Sequence, residues 1–169
     1  ALAAAEALGA PLDAAIAAAG NYRGLPHRLE FVREFAGVRY YNDSKATTPE
    51  AAITALRAFE QPAVILCGGY DKGLSFDELG RELAARARAV ICYGDTRDQI
   101  FMAVRRARGE RDQPSLKTVH DFRGGVNLAR RLSRPGDVVV LSPACASYDM
   151  FKNYEQRGDM FRRIVNDWI

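Results

Sequence analysis

AVILC (63–67) is an unbroken apolar run that ends abruptly in GGYDKG (68–73), a polar stretch with three glycines. A strand buried on both faces reads this way, whereas a strand with one wet face alternates. Helical spacing follows at once in FDELGRELAARA (76–87), with Ser75 as its expected cap. The pairing recurs in AVICYG (89–94) with TRDQIFMAVRRAR (96–108), and in the weaker strand SLKTVH (115–120) with the glycine-interrupted helix FRGGVNLARRLS (122–133). DVVVLS (137–142) and a final helix over about Met150–Trp168 complete it. Upstream, PEAAITALRAF (49–59) reads as a helix with Thr47 or Thr48 as N-cap and Pro49 in its first turn. RLEFVREF (28–35) and VRYYND (38–43) flank Ala36-Gly37 as a tight hairpin. Apolar strands separated by amphipathic helices imply a mostly parallel sheet covered on both faces. The expected fold class is α/β: a doubly wound, Rossmann-like sheet with the hairpin as its antiparallel edge.

The first residues do not share this rhythm. ALAAAEAL (1–8) stops at Gly9, and PLDAAIAAA (11–19) starts at Pro11 and ends at Gly20; alanine this dense makes good helix and little core. NYRGLPH (21–27) reads as a linker from its Gly and Pro. The chain opens on Ala1 inside a helical pattern, so it is expected to begin within a larger protein. At 169 residues the chain is long enough for one domain of ordinary size and too short for two.

With 48% hydrophobic and 27% charged residues, the composition excludes disordered and fibrous classes. The net charge is only +3, and the densest basic runs (Arg81–Arg88, Arg105–Arg111, Arg130–Arg134) read as solvated helix faces, so no nucleic-acid partner is expected. Cys67, Cys92 and Cys145 have long, irregular spacings and no C-x-x-C pair, which suggests neither a disulfide frame nor a zinc site and fits a reducing cytoplasm. His27 and His120 stand apart from any residue at metal-ligand spacing, and Trp168 reads as packing. No apolar run approaches the roughly 20 residues of a membrane helix, and no signal peptide is visible.

In an open parallel sheet, ligands bind in the crevice beyond the carboxyl ends of the strands. Four segments should converge there: NDSKATT (42–48), GGYDKG (68–73), GDT (94–96) and SPACAS (142–147). Together they offer lysines, acids, hydroxyls and helix N-terminal amides, which suits an anionic ligand. Taken singly, NDSKATTP reads either as a ligand loop or as a strand exit with a helix cap, and GGYDKG either as a ligand loop or as a tight turn. YGDT reads as structural. SPACAS followed by YDMFKNYEQRG (148–158) is poor material for a mere connection. G-x-x-x-x-G-K-[ST] is absent, as are a G-x-G-x-x-G fingerprint after the first strand and a nucleophile elbow with its triad. The chain can hold a charged ligand but carries nothing to activate a phosphoanhydride, so no catalytic residue is assigned within it. A non-catalytic nucleotide-binding module is the alternative on these grounds.

GLPHRLE (24–30), YNDSKATTPEA (41–51), GGYDKG (68–73) and LSPACASYDMFKNYEQRG (141–158) resemble the signatures of the D-glutamate-adding Mur ligases of peptidoglycan synthesis. The resemblance covers essentially the whole chain, with residues 1–22 similar to the tail of the central ATPase domain and the rest to the carboxy-terminal domain. It implies an ATP- and Mg2+-dependent amide ligase that acts through an acyl phosphate of UDP-N-acetylmuramoyl-L-alanine and adds D-glutamate. It also implies metal ligands and a phosphate loop outside this chain, and an isolated piece that is inactive. The partners implied are ATP, D-glutamate, UDP-N-acetylmuramoyl-L-alanine and the amino-terminal and central domains, in a cytoplasmic monomer. On the nucleotide side the resemblance assigns Arg28 and Lys45 to phosphates and Asp43 to the ribose hydroxyls. On the D-glutamate side it assigns Lys72 to a carboxylate and Thr47 and Ser147 to hydrogen bonds, with Tyr148 and Tyr154 nearby.

Overall fold

Val64 and Leu66 pack to one side of the strand Ala63–Gly68 and Ile65 and Cys67 to the other, and all six of its residues are buried. The unbroken apolar run therefore has a physical cause: both faces of the strand are covered. The computed structural model describes residues 1–22 and 24–169; Arg23, within the expected linker and at the expected domain boundary, lies outside the described residues.

The described residues form, in chain order, α1 (Leu2–Ala7), α2 (Leu12–Asn21), β1 (Glu30–Phe35), β2 (Val38–Asn42), α3 (Pro49–Arg57), β3 (Ala63–Gly68), α4 (Asp77–Arg86), β4 (Ala87–Tyr93), α5 (Arg97–Arg108), β5 (Ser115–Thr118), α6 (Phe122–Leu132), β6 (Val138–Leu141) and α7 (Tyr154–Asn166). One six-stranded sheet runs β1-β2-β6-β3-β4-β5. Only the β1–β2 pair is antiparallel, and it turns through Ala36 and Gly37 at φ 52° and 74°, the positive values a primed hairpin turn needs. The parallel pairings β2–β6, β3–β6, β3–β4 and β4–β5 make up the rest of the sheet.

Two cores follow from the strand alternation. Helices α3, α4 and α5 cover one face, where Ile53, Leu79 and Ile100 meet Ile65, Val90 and Val140. On the other, Val126 of α6 and Phe161 and Ile164 of α7 meet Leu66, Ile91 and Leu141. Helices α1 and α2 bury no residue.

Several boundaries differ from the sequence reading, each for a local reason. The last helix starts at Tyr154 and not near Met150, because the Met150 and Phe151 amides fold back onto the Ser147 carbonyl at 3.1 and 2.8 Å. Of the two threonines read as possible caps of α3, Thr48 fills the role by accepting the Ala51 amide, as expected. Ser75 accepts the Asp77 amide from one residue outside the N-cap position of α4, which Phe76 occupies. Among the described residues, no helix is long and apolar enough to cross a membrane.

Candidate functional site

The strand ends β2, β3, β4 and β6 deliver their loops to one edge of the sheet, and backbone bonds knit those loops together. Gly68 donates to the Pro143 carbonyl at 2.8 Å and Tyr70 to Ala146 at 2.9 Å. Asp43 donates to Leu141 at 2.8 Å. Thr96 is buried; its amide and its hydroxyl both bond the Gly69 carbonyl at 3.1 Å, and its hydroxyl lies 3.2 Å from the Cys145 sulfur. The YGDT segment is thus a structural tie. Burial pushes the Cys145 thiol up to about 11, which suits packing and not nucleophilic attack. Gly68 and Gly69 sit at φ 128° and 146°, and a Cβ on Gly68 would collide with the Tyr93 carbonyl. Only glycine turns the chain here.

Arg28, Asp43 and Lys45 line a single cleft of about 280 Å³, with Leu29, Ala46, Ala51, Thr54 and Ala55 as the other walls. Asp43 is 5% exposed, and its two carboxylate oxygens accept from the Leu29 amide at 3.1 Å and the Ser142 hydroxyl at 2.8 Å. Burial raises its pKa above the ordinary aspartate value, against the lowering pull of those two bonds and of the Arg28 charge. Lys45 and Arg28 remain exposed. The Lys45 amide bonds the His27 carbonyl at 3.0 Å, so the residues around Arg28 and Lys45 are joined through the backbone.

Ser147 is 2% exposed, at the end of the loop that pairs with Tyr70. Its neighbour Tyr148 is 67% exposed and meets Tyr70 edge to face at 6.1 Å, giving the rim two aromatic faces. Thr47 is half-buried just ahead of α3. Tyr154 stands at the first turn of α7 with the Lys45 ammonium 5.7 Å from its ring centre, beside the cleft that Lys45 lines. Lys72 is exposed on a loop braced by Asp71, whose oxygens accept from Gly73 and Gln99 at 2.7 Å each. The fold therefore brings Arg28, Asp43 and Lys45 into one cleft, with the Tyr154 ring beside Lys45. Ser147 and Lys72 belong to loops bonded to each other through Tyr70 and Ala146, while among the described residues no hydrogen bond or ion pair links Lys72 to another of these side chains. No group of three or more His, Cys, Asp or Glu side chains is placed to hold a metal ion among the described residues.

A profile described as "Mur ligase, glutamate ligase domain" matches residues 27–145. The chain belongs to the Mur ligase family. Over 165 residues it is 45% identical to the UDP-N-acetylmuramoylalanine--D-glutamate ligase of Pelotomaculum thermopropionicum, a match covering 98% of this chain and 35% of that protein. The same enzyme of Pseudomonas fluorescens is 46% identical over 171 residues, 99% of this chain and 37% of that one. This Mur ligase domain thus spans about a third of the length of the curated relatives it matches. Two solved structures share its fold. Mycobacterium tuberculosis folylpolyglutamate synthase complexed with ADP and AMPPCP gives TM-score 0.62 at 17% identity, covering 93% of this chain and 37% of that one. The MurF ligase of Thermotoga maritima in complex with ADP gives 0.58 at 22%, covering 98% and 36%.

Two residues of this Mur ligase domain carry more of the site than the sequence reading allowed. Arg157 is completely buried, and its guanidinium donates to the Ser44 hydroxyl, the Ser44 carbonyl and the Cys145 and Ala146 carbonyls. Its signal was visible: it falls on the buried stripe of α7 with Phe161, Ile164 and Val165, where an arginine is out of place. His27 is buried too, 3.0 Å from the Asn42 amide nitrogen and 3.8 Å from Asp159, and edge-on to Tyr154 at 5.9 Å. Nothing in its sequence neighbourhood announced those partners, because Asp159 and Tyr154 come from the far end of the chain.

Proposed function

We propose that this chain is the D-glutamate-binding and ATP-closing domain of the ligase that joins D-glutamate to UDP-N-acetylmuramoyl-L-alanine in peptidoglycan synthesis. The observation that carries the reading is the single cleft formed by Arg28, Asp43 and Lys45. The loop that carries Lys45 is tied to the Ser147 loop through Arg157, which donates to the Ser44 and Ala146 carbonyls at 2.9 and 3.1 Å. The residues fit a nucleotide: two exposed cations suit phosphate oxygens, and a fixed carboxylate suits ribose hydroxyls. With Mg2+, ATP supplies the phosphoryl group that makes the alanyl carboxylate a reactive acyl phosphate. Among its described residues the domain offers no cluster of His, Cys, Asp or Glu placed to hold a metal ion.

Its contribution is to place the D-glutamate amine. Lys72 pairs with a substrate carboxylate and the hydroxyls of Thr47 and Ser147 donate to it, while Tyr148 and Tyr154 wall the subsite. Each charge-assisted bond of this kind contributes about 1.5–3 kcal/mol. When the amine attacks, a C–N bond forms, the C–O bond to phosphate breaks, phosphate leaves and the nitrogen's proton passes to solvent. That is rate enhancement by positioning. Two free buried cysteines in the core strands, Cys67 and Cys92, fit the cytoplasmic setting this reading requires.

The test is ADP release by the complete ligase carrying this domain. Turnover should require D-glutamate, and Lys72→Ala should raise the D-glutamate KM by about 10-fold or more, as loss of a charged contact does. Absence of D-glutamate-dependent turnover in the unaltered enzyme would sink the reading. Tight ATP binding by the 169-residue chain alone, without such turnover, would favour a nucleotide-binding module.

A further inference from the structure

Arg157 heads the largest completely buried side chains, and it is a cation. Among the described residues none of its hydrogen-bond partners is a carboxylate. Nε donates to the Ser44 hydroxyl at 3.0 Å, Nη2 to the Ser44 and Cys145 carbonyls at 2.9 and 3.0 Å, and Nη1 to Ala146 at 3.1 Å. Nη1 also lies 3.2 Å from the place a Cβ on Gly69 would take, so the guanidinium underlies a third strand-end loop. An apolar side chain of the same volume would fill this space without the desolvation that a buried charge costs. What it could not do is hold carbonyls of two loops at fixed spacing with one rigid fork.

We propose that Arg157 is a positioning residue that sets the nucleotide-side loop (43–47) and the glutamate-side loop (144–148) at one separation. It touches neither ligand. The contact runs from Arg157 to Ser44, from Ser44 to the Tyr154 carbonyl, and from the Tyr154 ring to Lys45. On the other side it runs to the Cys145 and Ala146 carbonyls, next to Ser147. The inference rests on the ligase reading for the identity of the ligands, not for the existence of the clamp.

Arg157→Lys keeps the charge and loses the fork. In the complete ligase it should raise the KM of D-glutamate and of ATP together, by about 10-fold or more each, the scale expected when a site is displaced without losing a contact. A merely structural role would lower the melting temperature and the active fraction, hence apparent kcat, and leave both KM values unchanged. That result, or a rise in one KM alone, overturns the proposal. If Arg157→Lys does not fold, Ser44→Ala removes the acceptor of Nε and the donor to the Tyr154 carbonyl, keeps the Ser44 carbonyl on Nη2, and should give the same paired rise in smaller measure. If the unaltered ligase shows no D-glutamate-dependent turnover, the ligase reading has failed, and hydrogen exchange on the 169-residue chain tests the clamp alone. Ser44→Ala should then speed exchange in both 43–47 and 145–151 while β3 stays protected; loosening of one segment only overturns it.

Discussion

Asp43 is committed to the protein before any ligand arrives, because the Leu29 amide and the Ser142 hydroxyl already occupy one lone pair on each oxygen. Burial still outweighs these bonds and lifts its pKa above the ordinary value of 3.8. The folded chain therefore holds the proton more tightly than the unfolded chain. Stability contributed by this group is fully present below the ordinary value and falls as pH rises through the raised one. Each unit of upward shift is worth about 1.4 kcal/mol. Asp43→Asn removes the titration and keeps an oxygen for the Leu29 amide. Its stability relative to the unaltered chain should rise with pH above 3.8 and then level off. Thermal melts of both proteins from about pH 4 to pH 7 check this, and a difference that stays flat or falls contradicts it. In the complete ligase the proposed role of Asp43 at the ribose makes the same change weaken ATP binding.

At the scale of elements, α7 shows both what the sequence discloses and what it conceals. Its apolar stripe was readable, and so were the fully buried strands, whose runs of Val, Ile and Leu have one physical explanation. Its start was not. Met150 and Phe151 continue the apolar spacing, but their amides close a turn on Ser147, and the helix waits for Asn153. Asn153 accepts the Gln156 amide at 2.8 Å and Gln156 returns a bond from the Lys152 amide at 2.7 Å, a reciprocal cap. The strand β5 ends at Thr118, where the Val119 amide makes the last bond to β4, on the Cys92 carbonyl at 3.0 Å. Because this cap fixes the turn that carries Tyr154 and Arg157, Asn153→Ala should cost about 1 kcal/mol and lower the melting temperature by about 2–4 °C. Circular dichroism melts measure it, and an unchanged midpoint would show that tertiary packing alone sets the start of α7.

At the scale of the whole molecule, the convergence of four loops was legible because topology, not side-chain detail, dictates it: parallel strands deliver their carboxyl ends to one edge. The partners of the two buried polar centres were not, since Arg157 meets Ser44 across 113 residues and no local pattern encodes such a partner. Composition marked a linker at 21–27 and the family resemblance put the division at residue 22; the packing bears on it. Helices α1 and α2 bury nothing, and Leu8, Leu12 and Ile16 are 88, 50 and 50% exposed. Burial is what converts apolar area into stability, so these helices add little to the sheet domain. Removing residues 1–21 should change the stability of the remainder by less than about 0.5 kcal/mol, the range of substitutions that disturb no packing. Urea unfolding of both chains, followed by the fluorescence of Trp168 against Tyr40, reads the sheet domain directly, because that ring contact lies wholly within it at 5.0 Å. Equal midpoints would support a boundary at the linker. A large loss would mean that the helices stabilise the sheet through contacts their exposure does not reveal, and would move the boundary to the amino-terminal side of α1.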